Sequence, residues 1–241
     1  MSLPPASDVQ VPRAPGALAQ FKERLKDGAH AVLAPVVKLL TSLGIRADHL
    51  TVMGLLLSIA AGFAFFDGHS RLGALLLSLG GVCDILDGEV ARRSQVTSRF
   101  GAFLDSTLDR LAEAFALTGI AAFYIRNLMA LVFEPELVAQ QLSQQLEPAT
   151  WARMAVISML AMVGSFMVSY TRARAEGLGL ECKVGWFERP ERLVLLIVAA
   201  ALQVFWAMSV ALLLLTVFSF ATAAQRVAHV YRITRGAGRD Q

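Results

Sequence analysis

Residues 72–92 read LGALLLSLGGVCDILDGEVAR, an apolar run that turns acidic at its end, closing on Asp84, Asp87, Gly88, Ala91 and Arg92. After a short basic stretch, residues 101–109, GAFLDSTLD, open the next apolar run with Asp105 and Asp109. Asp84 and Asp87 are three apart and Asp105 and Asp109 four apart, so each pair shares one helical face. A short loop between the two helices lets the pairs face each other at the edge of a bilayer. A carboxylate at membrane depth costs about 2.5–3.5 kcal/mol on insertion scales if unpaired, and four together also repel. Bound divalent cations relieve both costs. Ion pairing with Arg92, Arg93, Arg99 and Arg110 would account for one such aspartate, but not for four at these spacings with two glycines. Hard oxygen ligands suit Mg2+ or Mn2+ rather than zinc or copper, and such ions usually share their shell with substrate phosphates. Small residues at Gly88, Ala91 and Gly101 would let a ligand or a neighbouring backbone come close.

Outward from this stretch, the composition is that of an integral membrane protein. Of 241 residues 56% are hydrophobic and only 17% charged, with a mean hydropathy of +0.56. A soluble domain is nearer a quarter charged. The net charge of +3 fits basic loops beside an anionic leaflet and gives no reason to expect nucleic acid. Cys83 and Cys182 read as reduced thiols, too few for a disulfide framework or a zinc site. Residues 1–15 are Pro-rich and expected to be a disordered tail, with no signal-peptide core. Residues 16–46 carry Leu18, Phe21, Leu25, Val32, Val36 and Leu40 at helical spacing among lysines and arginines. They are expected to form an amphipathic interfacial helix kinked at Pro35.

Six apolar segments follow, so the expected fold is all-α with six transmembrane helices over residues 47–235 and a short tail at 236–241. They are Leu50–Phe66, Leu72–Val82, Phe103–Tyr124, Met154–Tyr170 and two carved from Leu193–Ala224. That last stretch would be about 48 Å as one helix, too long for a ~30 Å core, so a break is expected near Gln203–Ser209. With both termini cytoplasmic, nineteen Lys and Arg fall on that side and only Arg71, Arg126 and Arg153 on the other. The connection around Arg126–Trp151 is expected to be a short amphipathic helix and loop.

The pattern Asp84-x2-Asp87-Gly88-x2-Ala91-Arg92-x8-Gly101-x3-Asp105-x3-Asp109 resembles the full signature of the CDP-alcohol phosphotransferase family. The resemblance implies a six-helix, usually dimeric enzyme that acts on CDP-diacylglycerol with two Mg2+ or Mn2+ ions. By that resemblance Asp84, Asp87, Asp105 and Asp109 bind metal, and Asp109 is the general base for the acceptor hydroxyl. Asp48, Thr51, Asp84, Gly88, Ala91, Arg92 and Ser98 would line the CDP-lipid site. The family's Pro-Asn/Asp-x-x-Thr entry here reads Ala47-Asp48-His49-Leu50-Thr51, without the proline. Asp48 alone would be read as a helix N-cap.

Ser169-Tyr170-Thr171-Arg172 and Glu188-Arg189-Pro190-Glu191-Arg192 resemble the corresponding motifs of phosphatidylinositol-phosphate synthases and their archaeal-lipid counterparts. The implied pocket for an acceptor phosphate is Ser169, Arg172, Arg192 and either Arg226 or Arg232, with inositol phosphate the favoured acceptor. Arg172 stands where family members often have Lys. Glycerol 3-phosphate would obey the same electrostatic logic. A divalent-cation transporter is the reading from another class. It is disfavoured because the acids cluster at one membrane edge and Glu113, one turn past Asp109, is the only acid going deeper.

Overall fold

The computed structural model describes residues 34–93, 98–133 and 147–237. Among them are seven helices and no strand. The chain divides into two units at Ile45/Arg46. In the first unit α1 covers 34–42, and Gly44 turns the chain out of it with φ +73°. Most of the expected interfacial helix and the whole of the 1–15 tail lie outside the described residues, as does the tail at 238–241.

The second unit holds α2 (Ala47–Phe66), α3 (Ser70–Arg93), α4 (Arg99–Phe133), α5 (Pro148–Glu176), α6 (Arg189–Leu202) and α7 (Phe205–Ala237). Each packs on two neighbours. α2 lies against α3 and α4, α4 against α5, α5 against α7, α7 against α6, and α6 returns to α3. The ring therefore closes, and the C-terminal end of α3 meets the N-terminal end of α4 beside the start of α6.

Packing is inverted relative to a water-soluble bundle. Ala61, Ala116, Ala161, Ala200, Ser158 and Ser219 are fully enclosed, while Leu56, Phe63, Val132, Val194 and Val217 face outward. Small residues inside let helix backbones approach, and large apolar residues outside suit lipid contact. The tightest crossing is between α2 and α4. A Cβ on Gly119 would lie 2.1 Å from the Gly62 carbonyl oxygen, so only glycine fits there. At the end away from the aspartates, Tyr124 and Trp151 each meet Phe205 edge to face and lie tilted against each other, tying α4, α5 and α7 together.

α2, α4, α5 and α7 are each long and apolar enough to cross a membrane. The long final apolar stretch is broken where its length demands. Gln203 sits in the left-handed region at φ 54°, ending α6, and α7 restarts at Phe205. Two expected boundaries move. Arg126 lies inside α4, where it reaches Asp67 in the α2–α3 turn (3.4 Å), and Trp151 is buried inside α5. The connection is thus shorter than Arg126–Trp151, and its central part, 134–146, lies outside the described residues. The helices outrun the apolar segments because polar residues at their ends still complete the backbone ladder.

Candidate active site

Ser98 is the residue before α4, and its Oγ accepts the Gly101 N–H (2.8 Å), so it caps the helix that carries Asp105 and Asp109. Asp48 lies in the first turn of α2 rather than at its N-cap, which is Arg46. A Cβ on Gly101 would stand 3.7 Å from Asp48 Oδ1, so the α2 entry and the α4 entry meet here. One turn further along α2, the Thr51 hydroxyl donates to Asp87 Oδ2 (2.8 Å). Asp87 is buried and held by this bond.

Asp84, Asp105 and Asp109 converge. Each offers one carboxylate oxygen, and these oxygens all lie within 4.8 Å of one another. Asp105 Oδ1 is buried with no hydrogen-bond partner. A buried carboxylate oxygen orphaned among two more carboxylates is what a hard cation would satisfy, so the residues fit Mg2+ or Mn2+.

The structure adds two residues that were not singled out as site members. Arg189, the first residue of α6, bridges the pairs: Nη1 lies 2.7 Å from Asp84 Oδ2 and Nη2 2.8 Å from Asp109 Oδ1. One turn deeper, Glu113 takes both Nε and Nη2 of Arg192, at 2.7 and 2.8 Å. Two acid–arginine rungs therefore join α4 to α6. Glu188 holds the N-cap position of α6 without a side-chain capping bond, and Pro190 sits in the first turn, where a missing N–H costs nothing.

Beside the aspartates opens a cleft of about 250 Å³, lined by Asp109, Arg110, Ser169, Arg172, Glu188, Arg189, Arg192 and Arg226. Ser169, Arg172, Arg192 and Arg226 are thus brought together from α5, α6 and α7. Arg192 and Arg226 are both buried, and each is tied on several sides. Arg226 donates to the carbonyls of Val184 (2.8 Å) and Val168 (2.6 Å) and reaches Glu188 (3.3 Å). Arg172 pairs with Glu176 (2.9 Å) and Glu188 (3.8 Å) and keeps a partly exposed guanidinium. Arg232 is exposed and stands outside the residues lining this cleft. On α3, Arg92 pairs with Glu89 and lies against Gly88, with Ala91 half-buried alongside.

A family model described as CDP-alcohol phosphatidyltransferase matches residues 45–223, the whole ring but the end of α7. The chain belongs to the CDP-alcohol phosphatidyltransferase family. Among its relatives, the archaetidylinositol phosphate synthase of Methanothermobacter thermautotrophicus is 35% identical over 79% of this chain and 85% of that protein. The phosphatidylinositol phosphate synthase of Mycobacteroides abscessus is 32% identical over 84% of each. The crystal structure of the Mycobacterium tuberculosis phosphatidylinositol phosphate synthase with CDP-DAG bound matches with TM-score 0.67 at 28% identity, covering 83% of this chain and 94% of that one. The same enzyme has also been solved in complex with manganese and citrate. In this chain the four aspartates of the CDP-alcohol phosphatidyltransferase pattern stand where α3, α4 and α6 meet.

Proposed function

We propose that this protein transfers the phosphatidyl group of CDP-diacylglycerol to inositol phosphate, giving phosphatidylinositol phosphate and CMP. The observation that carries this reading is the juxtaposition of a carboxylate cluster with an arginine-lined cleft, sharing Asp109 and Arg189 between them. Names of the relatives point the same way, since those quoted above all make inositol phosphate lipids.

Asp84, Asp87, Asp105 and Asp109 would hold two Mg2+ or Mn2+ ions, which when bound neutralise the diphosphate and stabilise the leaving CMP. Asp48, Thr51, Gly88, Ala91, Arg92 and Ser98 surround the nucleotide side of the site, with Thr51 also fixing Asp87. In the basic cleft Arg172 offers the acceptor's phosphate a planar pair of donors, and Ser169 a hydroxyl. Arg192 and Arg226 build the cleft walls, each satisfied by its own partners. Arg232 remains the alternative last-helix contact. The acceptor hydroxyl, oriented by its bound phosphate, then attacks the lipid-side phosphorus. Its oxygen forms the new P–O bond, the bond to the CMP oxygen breaks, and the hydroxyl proton passes to Asp109.

All six helices of the ring would cross the membrane. α3 and α6 fall between α2 and α7 in the ring, so spanning neighbours flank them. α6 has 14 residues, about 21 Å, and would be a short span that leaves its first turn at the polar edge. The bias of basic residues puts the site and both termini on the cytoplasmic side. Residues 47–235 then form the catalytic domain and 16–46 an interfacial helix. A homodimer is carried by the family resemblance.

The test uses purified protein with CDP-diacylglycerol, Mn2+ and single acceptors, read as CMP release. The expected result is release with inositol phosphate at least about tenfold faster than with glycerol 3-phosphate or serine, the discrimination open to a site built for one polar substrate. Release with glycerol 3-phosphate alone would replace the acceptor. Absence of CMP release with every acceptor, combined with metal transport in vesicles, would overturn the enzymatic reading.

A further inference from the structure

Arg189 stands on the wall between the two halves of the site. Its side chain lines both the cavity that holds Asp84, Asp87 and Asp109 and the basic cleft, as does that of Arg192. Its guanidinium takes one oxygen from Asp84 and one from Asp109, at 2.7 and 2.8 Å. Those two residues are also two of the three whose oxygens converge closely enough to share a cation. Arginine keeps its charge at any working pH, so it cannot make way by losing a proton. A divalent ion and Arg189 therefore compete for the same carboxylates.

The cleft's other inner arginines are not free to answer that competition. Arg192 is held by both oxygens of Glu113, and Arg226 by two backbone carbonyls and Glu188. Both are 2% exposed, whereas the Arg189 side chain is 24% exposed and sits in the first turn of its helix. The Glu113–Arg192 rung anchors the helix one turn away, and Arg189 borders the open cleft.

We propose that Arg189 is an exchangeable counter-cation. It neutralises Asp84 and Asp109 while they hold no divalent ion. When metal loads, it swings into the basic cleft and becomes a ligand of the acceptor's phosphate. This rests on the reading of the site given above. Linkage makes the exchange reciprocal: a phosphate that draws Arg189 into the cleft tightens metal binding, and metal tightens phosphate binding by the same factor.

The experiment titrates Mn2+ into the full-length protein in nanodiscs, without nucleotide lipid, and reads free Mn2+ by its paramagnetic resonance signal. Arg189→Gln, which removes the competing charge, is expected to bind Mn2+ about tenfold tighter than the unsubstituted protein. Inorganic phosphate is expected to tighten Mn2+ binding of the unsubstituted protein about threefold or more and to leave Arg189→Gln unchanged. Arg189→Lys, which keeps the charge but not the two-pronged grip, is expected to fall between them and decides the matter if Arg189→Gln does not fold. Equal or weaker Mn2+ binding by the variants, or a phosphate effect that survives in Arg189→Gln, would overturn the exchange. No Mn2+ binding by the unsubstituted protein would instead overturn the metal site itself, so the two failures are distinct.

Discussion

Asp109→Asn loses turnover by about a thousandfold or more while CDP-diacylglycerol binding at saturating Mn2+ stays within a few-fold, the effect expected for removal of a general base. The amide keeps the size of the carboxylate and can still face Arg189, but it cannot take the acceptor's proton at neutral pH. The other aspartates stay in place: Asp87 remains bonded to Thr51, and Asp84 and Asp105 keep their converging oxygens. Single-turnover CMP release and equilibrium binding of the nucleotide lipid, measured on the same preparation, separate the two effects. Turnover near that of the unsubstituted enzyme would remove Asp109 from the base role. Loss of lipid binding in step with turnover would make it chiefly a metal ligand.

Glu113→Ala acts on stability rather than on chemistry. It strands the Arg192 guanidinium, 2% exposed, without its two shortest hydrogen bonds, both of which go to Glu113. Removing one member of a buried ion pair costs about 3–5 kcal/mol, which for a chain of this size lowers the melting temperature by about 10 °C. Because Arg192 stands one turn below Arg189, the loosened α6 should also let Arg189 drift from Asp84 and Asp109. Replacing both members with apolar residues, Glu113→Leu with Arg192→Met, is expected to recover much of the loss, since no charge is left buried alone. A melting temperature unchanged in Glu113→Ala, followed by intrinsic fluorescence in detergent, would show that the rung carries no such load.

The carboxylate cluster was legible because it is built from local spacings. Three and four residues put carboxylates on one face of a helix, and the short connection between α3 and α4 brings the two faces together. The break at Gln203 was legible for a different reason, since no single helix of that length fits a bilayer core. Arg189 and Glu113 were not legible as partners of the site. Arg192 and Glu113 are 79 residues apart, and only the closure of the ring lets a side chain of α6 reach one of α4. By resemblance Arg192 reads as a ligand of the acceptor phosphate; in the fold its guanidinium is held by Glu113. Ser98 shows the same limit on a smaller scale. Its place in the family pattern suggests a nucleotide contact, while its hydroxyl caps α4 and thereby sets where Asp105 and Asp109 point.

The proposed transfer depends on carboxylates from α3 and α4 holding divalent ions that in turn hold a diphosphate. Equilibrium binding of CDP-diacylglycerol to the purified protein, with Mn2+ and again after chelation, tests this most directly. The expected result is an affinity at least about a hundredfold weaker without metal, because Arg189 then offsets only part of the negative charge that Asp84, Asp87, Asp105 and Asp109 turn toward the diphosphate, and full recovery when Mn2+ returns. Nucleotide-lipid affinity that is the same with and without metal would contradict it.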